Sequence, residues 1–511
     1  MHKELQTIYW KWNIYLHNII TGIVYCMKQT KIIATIGGVS SSPQMIEQMI
    51  LNGVNVFRLN FSHGTHQDHA DNIAKIRAVS KKLQDSHHIH AYVAIMADLQ
   101  GPKIRVGKFA NGYIDLQPQQ KLVLDTQITN GEGNLVPLDF KPLVTMVKAE
   151  DVLLLDDGKV ELRVDEVKQH QVLCTVIHGT KLSNNKGINK LGGGLNSPSL
   201  TEKDLADLEF ALQRGVDFVA VSFVYSNEDI IIAKQHIDRM LSSSTKDIVK
   251  PKIIAKLERY EAVYHNLDAI IQASDGVMVA RGDLAIEVGL DKVPALQKLI
   301  LKKCKQFDCM SIVATQMLES MITASVATRA EVSDIANAVL DGADAVMLSA
   351  ETAAGSYPLE AVQTMYKTCL ATEEDSQLNL DMSFVNKKFT SIEHTIAMSA
   401  LFSAYHLNAD AIITITASGN TAYQLSRLMS GIPIFAVSDN ETVCQQMSIL
   451  RSVYSVHLTH DNLTNDVSYY QRAIDVLVES GALLSGQKIV IIFGDSLAKI
   501  GSTNTMKITI I

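Results

Sequence analysis

Lys252-Ile253-Ile254-Ala255-Lys256-Leu257-Glu258 is a short apolar run that ends on an ammonium and a carboxylate two residues apart. Its apolarity is continuous rather than alternating, as a strand buried on both faces requires. Residues two apart in a strand point to one side, so Lys256 and Glu258 share a face. Gly276-Val277-Met278-Val279-Ala280-Arg281-Gly282-Asp283 repeats the arrangement, with Arg281 and Asp283 at its end. Burying four charges at strand ends is costly unless they pair or hold an ion. Two carboxylates converging beside Lys and Arg suit a divalent cation and a phosphorylated substrate.

Six further runs of the same kind flank these two: Lys31–Ile36, Val54–Asn60, Tyr92–Asp98, Phe218–Phe223, Ser311–Thr315 and Ala343–Ser349. Amphipathic helices fit between them, as at Pro43–Leu51, Glu202–Arg214 and Val293–Lys305. Eight β/α units in series imply an α/β fold of the TIM (β/α)8 type, whose active site lies at the C-terminal ends of the strands. Those ends are polar: Arg58, Asn60, Ser62 and His63, then Asp98, Ser222, Lys256 with Glu258, Arg281 with Asp283, Thr315, and Ser349 with Glu351.

Between the third and fourth runs, residues 101–199 are of a different character, with short Val/Leu strands and turn residues. Val152–Leu162 reads as a hairpin turning at Asp157-Gly158. The segment is a small β-barrel domain inserted in a βα loop, where barrels carry lids. Gly192-Gly193-Gly194 has no strand in the register a dinucleotide fingerprint needs, and reads as a hinge or lid edge. The barrel domain then comprises residues 27–100 and 200–370, and residues 371–511 form a third unit. There a helix over Ser391–Tyr405 precedes strands at Ala411–Thr416, Ile432–Val437, Tyr454–Leu458, Lys488–Phe493 and Met506–Ile511, an open α/β sheet. Its loop Thr416-Ala417-Ser418-Gly419-Asn420-Thr421 leads into a helix over Ala422–Met429. It reads either as an anion site or as an ordinary cap by Ser418 or Asn420.

A chain of 511 residues is too long for one core and fits about three domains. The net charge of -8 and the lack of a basic run argue against a nucleic-acid binder, so anionic substrates must be held by local sites. Six scattered cysteines, without CxxC or zinc spacing, imply a reduced cytoplasmic protein. Residues 1–26 hold both tryptophans but are too short and too polar to span a bilayer, and they lack the layout of a signal peptide. The compact pattern starts at Met27, and a start there and a genuine N-terminal extension both remain open.

The segments Arg58–Gly64, Asp98–Arg105, Ala255–Glu258, Met278–Leu284, Ala314–Met321 and Met347–Ala353, in this order around an inserted β domain, resemble pyruvate kinases. The likeness runs from Thr30 to Ile511. It is closest to the bacterial monophosphate-activated branch, through Leu182–Gly194 and Gly501–Met506. The resemblance implies glycolytic phosphoryl transfer from phosphoenolpyruvate to ADP, giving pyruvate and ATP, by a cytoplasmic homotetramer. It also implies roles. Glu258 and Asp283 would hold Mg²⁺ or Mn²⁺, Lys256 the transferring phosphoryl group and Arg58 the phosphate. Gly282, Asp283 and Thr315 would hold the carboxylate, with Thr315, Ser349 and Glu351 relaying a proton to the enolpyruvate carbon. Asn60, His63, Arg105 and Lys186 would contact the nucleotide, and Thr416, Ser418, Gly419, Asn420 and Thr421 a phosphorylated monophosphate effector.

The chain departs from potassium-dependent relatives in the monovalent-cation region formed by Asn60, Ser62, Asp98, Leu99 and Lys103. Leu99 stands where those have a threonine ligand, and Lys103 where they have glutamate. A fixed ammonium there would replace K⁺. Two alternatives stand beside this reading: another metal-dependent phosphoenolpyruvate or pyruvate barrel, such as a class II aldolase or lyase, and a catalytically silent regulator. The first has no use for the inserted domain. The second has none for the intact set Arg58, Lys256, Glu258, Asp283 and Thr315.

Overall fold

The structure is a computed structural model that describes residues 27–86, 92–195, 198–243, 249–375, 389, 391–459, 466–494 and 501–511. The expectations about the first 26 residues lie outside these residues.

All eight apolar runs become strands of one closed parallel barrel: Lys31–Thr35, Val54–Asn60, Ala94–Asp98, Phe218–Val221, Lys252–Leu257, Gly276–Ala280, Met310–Ala314 and Ala345–Leu348. Each is hydrogen-bonded to its sequence neighbours, and the eighth closes on the first. Burial on both faces makes the runs continuous, because helices cover the outside while side chains fill the lumen. Helix starts follow their caps. Thr201 and Thr328 each accept from the backbone N–H three residues on, and Asp204 and Glu331 answer at the cap N–H.

One expectation fails at the sixth strand. It ends at Ala280, and the helix Arg281–Val288 starts at once. Two residues apart on a helix is about 200° around the axis, so Arg281 and Asp283 point in different directions. The Arg281 guanidinium turns away to brace the seventh strand's exit. It donates to the Thr315 carbonyl at 2.7 Å and to Asp334 at 2.8 Å.

The inserted domain has its own apolar core and a six-stranded sheet. The hairpin of Val152–Leu155 with Val160–Val167 turns through Asp156, Asp157 and Gly158, all with positive φ. At the opposite root, Gly193 lies against the barrel so closely that a β-carbon would meet Glu261 Oε1 at 2.4 Å. Its neighbours are tied down as well. Gly192 donates to the Glu287 carbonyl at 2.9 Å, and Gly194 donates to the Glu261 carboxylate. The glycine run is therefore the lid's junction with the barrel.

The C-terminal unit is a five-stranded sheet in which Ala411–Ile415 is central and the last strand, Thr503–Ile510, runs antiparallel at the edge. It seals the barrel's N-terminal end. Lumen residues such as Ile33, Met96, Met278 and Met347 form one apolar cluster with Leu401, Ile412, Leu425 and Val490. Buried charges cross the same junction. Arg427 donates to Asp344 at 2.8 Å, and Arg451, fully buried, donates to Thr30 Oγ1 at 2.7 Å and the Ala343 carbonyl at 2.8 Å.

Candidate active site

The C-terminal rim of the barrel gathers the charged strand ends into one cluster. Asp98, at the end of the third strand, is buried between two cations: Arg58 Nε donates to its Oδ2 at 2.6 Å, and Lys256 Nζ lies 3.2 Å from its Oδ1. Arg58 Nη1 also donates to Thr35 Oγ1 at 3.0 Å. Lys256 Nζ donates to Ser222 Oγ at 2.7 Å and pairs with Glu258 Oε1 at 2.9 Å. Lys256 and Glu258 thus share one face as their spacing requires. The other Glu258 oxygen accepts the Phe223 N–H at 2.6 Å, and Phe223 holds φ +55° to deliver it. Ser222 and Phe223 carry weight that the sequence reading did not give them. From sequence Ser222 reads only as a polar strand end, and a backbone N–H leaves no mark in side-chain identity.

Opposing causes set the protonation of this cluster. Burial disfavours charge on Lys256, but the Asp98 and Glu258 carboxylates outweigh it and hold the ammonium above the usual lysine range. Burial likewise opposes the Asp98 anion, yet Arg58 and Lys256 keep its carboxyl below the usual range. For Glu258 burial wins: its carboxyl stands above the usual range, Lys256 pulling it back and the nearby Asp283 charge adding to the rise. A buried carboxylate destabilised by a second carboxylate is what an added cation would relieve.

Asp283, in the first turn of the helix after the sixth strand, accepts from Lys103 Nζ at 3.0 Å. The same ammonium lies 3.6 Å from Asp157 Oδ1 at the lid's hairpin turn. Lys103 therefore reaches both Asp283 and Asp157. Leu99 is buried in the barrel's core cluster, while Asn60 spends its side-chain oxygen on the Ser62 N–H at 3.1 Å.

Thr315 follows the seventh strand with φ +68°, a strained setting for a β-branched residue. Its Oγ1 accepts the Gly282 N–H at 2.8 Å and donates to the Ala314 carbonyl at 2.6 Å. The hydroxyl thus covers the Gly282 N–H that the sequence reading offers to a substrate carboxylate. Glu351, almost fully buried, accepts from the Ser349 N–H at 2.7 Å and the Leu318 N–H at 3.1 Å. That geometry braces the two loops beside Thr315. Among the expected nucleotide contacts, His63 is exposed on the rim. Arg105 and Lys186 lie in the lid, bonded to the Asn185 carbonyl at 3.0 Å and to Asp156 at 2.8 Å.

In the C-terminal unit, Thr416, Ser418 and Thr421 line a cleft with Gly494, Ser502 and Thr503. The short helix there starts at Asn420 with Gly419 as its cap, φ +79°, so neither Ser418 nor Asn420 is the N-cap. A carboxylate not foreseen from sequence sits in the cleft. Glu393 accepts from Asn420 Nδ2 at 3.0 Å and from Thr421 Oγ1 at 2.8 Å. Two of the five expected effector residues thus already hold an internal anion.

The donor set fits one divalent cation. Among the described residues, no three His, Cys, Asp or Glu side chains form a closed metal cage. Two carboxylates on one rim are nonetheless the usual protein share for Mg²⁺, which takes its other ligands from phosphate and water. No helix among the described residues is long and apolar enough to cross a membrane.

Comparison with known proteins agrees over nearly the whole chain. The family model for the pyruvate kinase barrel domain matches residues 27–362, and that for the pyruvate kinase alpha/beta domain matches residues 394–509. The chain is 45% identical over 487 residues to pyruvate kinase II of Salmonella typhimurium, covering 94% of this chain and 98% of that one. It is 39% identical to the pyruvate kinase of Geobacillus stearothermophilus, over 95% of this chain and 80% of that one. A solved pyruvate kinase from Cryptosporidium parvum superposes with a TM-score of 0.88 at 34% identity, covering 94% and 96% of the two chains. With the buried ion-pair rim, the lid and the matching motifs all in place, the chain belongs to the pyruvate kinase family.

Proposed function

We propose that this enzyme transfers the phosphoryl group of phosphoenolpyruvate to ADP through the rim cluster just described, with Glu258 and Asp283 holding Mg²⁺ or Mn²⁺. The observation that carries this reading is the convergence of Lys256 on both Asp98 and Glu258, which leaves a charged ammonium fixed beside the metal carboxylates. A metal ion bound there would neutralise charge on the phosphoryl and enolate oxygens. The protein's own residues do the rest. Lys256 and Arg58 hold the phosphoryl oxygens in place, where charge spreads during transfer. Thr315 relays a proton to the enolpyruvate carbon, and Glu351 positions Ser349 and the seventh-strand loop behind it. Asn60, His63, Arg105 and Lys186 contact the nucleotide between rim and lid. Lys103 supplies the positive charge that K⁺ gives in other members, so no potassium is required.

Residues 27–100 and 200–370 form the catalytic domain, 101–199 the lid and 371–511 an effector domain. Its Thr416–Thr421 cleft takes a phosphorylated monophosphate. Assembly is homotetrameric and cytoplasmic. The exposed stretch Thr328–Ala330 and the helix Ile392–His406, with Phe402 and Tyr405 turned outward, support subunit contacts.

A coupled lactate dehydrogenase assay with phosphoenolpyruvate, ADP and Mg²⁺ tests the reading. Asp283→Asn should cut turnover by at least about a hundredfold while leaving circular dichroism and elution volume unchanged. Activity within about threefold of the parent enzyme would remove Asp283 from the metal site.

A further inference from the structure

On the rim, Arg58, Lys103 and Lys256 face Asp98, Glu258 and Asp283. The balance at Asp283 depends on Lys103, which enters from the root of the inserted domain. Its ammonium lies 3.0 Å from Asp283 Oδ1 on the barrel and 3.6 Å from Asp157 Oδ1 on the lid's hairpin turn. One side chain therefore joins the lid root, the lid's hairpin turn and the barrel rim.

The path of the lysine stem is built in. It crosses Gly187, where a β-carbon would stand 2.8 Å from Lys103 Cε. A glycine there lets the stem lie flat between the lid's base and the rim. The side chain is only 22% exposed, and the Asp283 carboxylate overcomes burial to keep the ammonium charged. Asp157 is placed by a turn in which three successive residues adopt positive φ, which aims its carboxylate back at the lysine.

We propose that Lys103 is a latch that holds the lid to the barrel through Asp157 and Asp283, and that it competes with the divalent cation for Asp283. The proposal rests on Asp283 being a metal ligand. A cation that takes the Asp283 oxygen displaces the ammonium or forces it wholly onto Asp157. Metal entry and lid attachment are then coupled through one side chain. Asp157 shares the ammonium, so it opposes the competition at Asp283.

The test reads Mn²⁺ binding in the enzyme without substrate, by electron paramagnetic resonance of free Mn²⁺, together with amide hydrogen exchange across residues 152–167. Lys103→Met should bind Mn²⁺ about two- to fivefold more tightly, the range for releasing a partly exposed ion pair, and its hairpin should exchange faster. Asp157→Asn should bind Mn²⁺ more weakly than the parent enzyme, because the ammonium is then left to Asp283. Unchanged or weaker Mn²⁺ binding in Lys103→Met overturns the latch, as does unchanged exchange in its hairpin. If Asp283→Asn binds Mn²⁺ as tightly as the parent enzyme, the metal reading itself fails, which is a separate outcome.

Discussion

Glu287 sits where the lid's root meets the barrel, 6% exposed, and burial pushes its carboxyl up from 4.5 to about 7. Oε2 accepts the Tyr260 N–H at 2.8 Å, and Oε1 faces Asn189 Nδ2 at 3.4 Å. The Arg259 charge pulls the carboxyl down and that of Glu261 pushes it up. A carboxyl raised on folding favours the folded state fully below the unfolded value of 4.5 and loses that contribution as pH climbs through about 7. At about 1.4 kcal/mol per pH unit, the gap comes to about 3 kcal/mol. Glu287→Gln keeps an acceptor for Tyr260 and stays neutral, and the Asn189 amide can turn to match it. The variant should therefore gain on the parent enzyme as pH rises from 5 to 8, by up to about 5 °C in Tm for a domain of this size. Thermal scans at half-unit pH steps follow the difference. A Tm difference that stays flat across that range, or that shrinks towards pH 8, would show that Glu287 is ionised in the folded enzyme without cost.

Two further outcomes are expected. Turnover should be the same in potassium-free buffer as with potassium, whereas Lys103→Glu should acquire a stimulation of at least about tenfold by potassium; strong stimulation of the parent enzyme counts against the Lys103 ammonium as the substitute for K⁺. Ser418→Ala with Thr421→Ala should abolish activation by a sugar monophosphate or AMP in the phosphoenolpyruvate saturation curve, and full activation in the double variant would place the effector elsewhere.

The barrel was legible because burial on both faces removes alternation, so each strand from Lys31–Thr35 to Ala345–Leu348 stands out as an unbroken apolar run. Lys256 and Glu258 were legible for a related reason: the period of the strand carries both to one side. Arg281 misled because the period changes from strand to helix at the residue itself. Other features were invisible because they join residues far apart in sequence. Arg427 meets Asp344 across 83 positions, and Arg451 meets Thr30 across 421. No local pattern announces such pairs, since a buried arginine looks like any surface one until its partner is placed. Glu393 escaped for the same reason, as its neighbours in sequence say nothing of Thr421.

The apolar cluster that runs from Ile33 and Met278 into Leu401 and Val490 has a bearing on how the chain is made. A ribosome delivers all eight barrel strands, ending at Leu348, well before the sheet that closes their lower opening. A barrel closed during that interval would leave its lumen methionines and isoleucines facing water at one end, and Asp344 without Arg427. Such a barrel would be a vessel with no base, exposed to wrong partners until more than a hundred further residues emerge. The C-terminal unit is thus as much a late step in building the catalytic domain as an appendage to it.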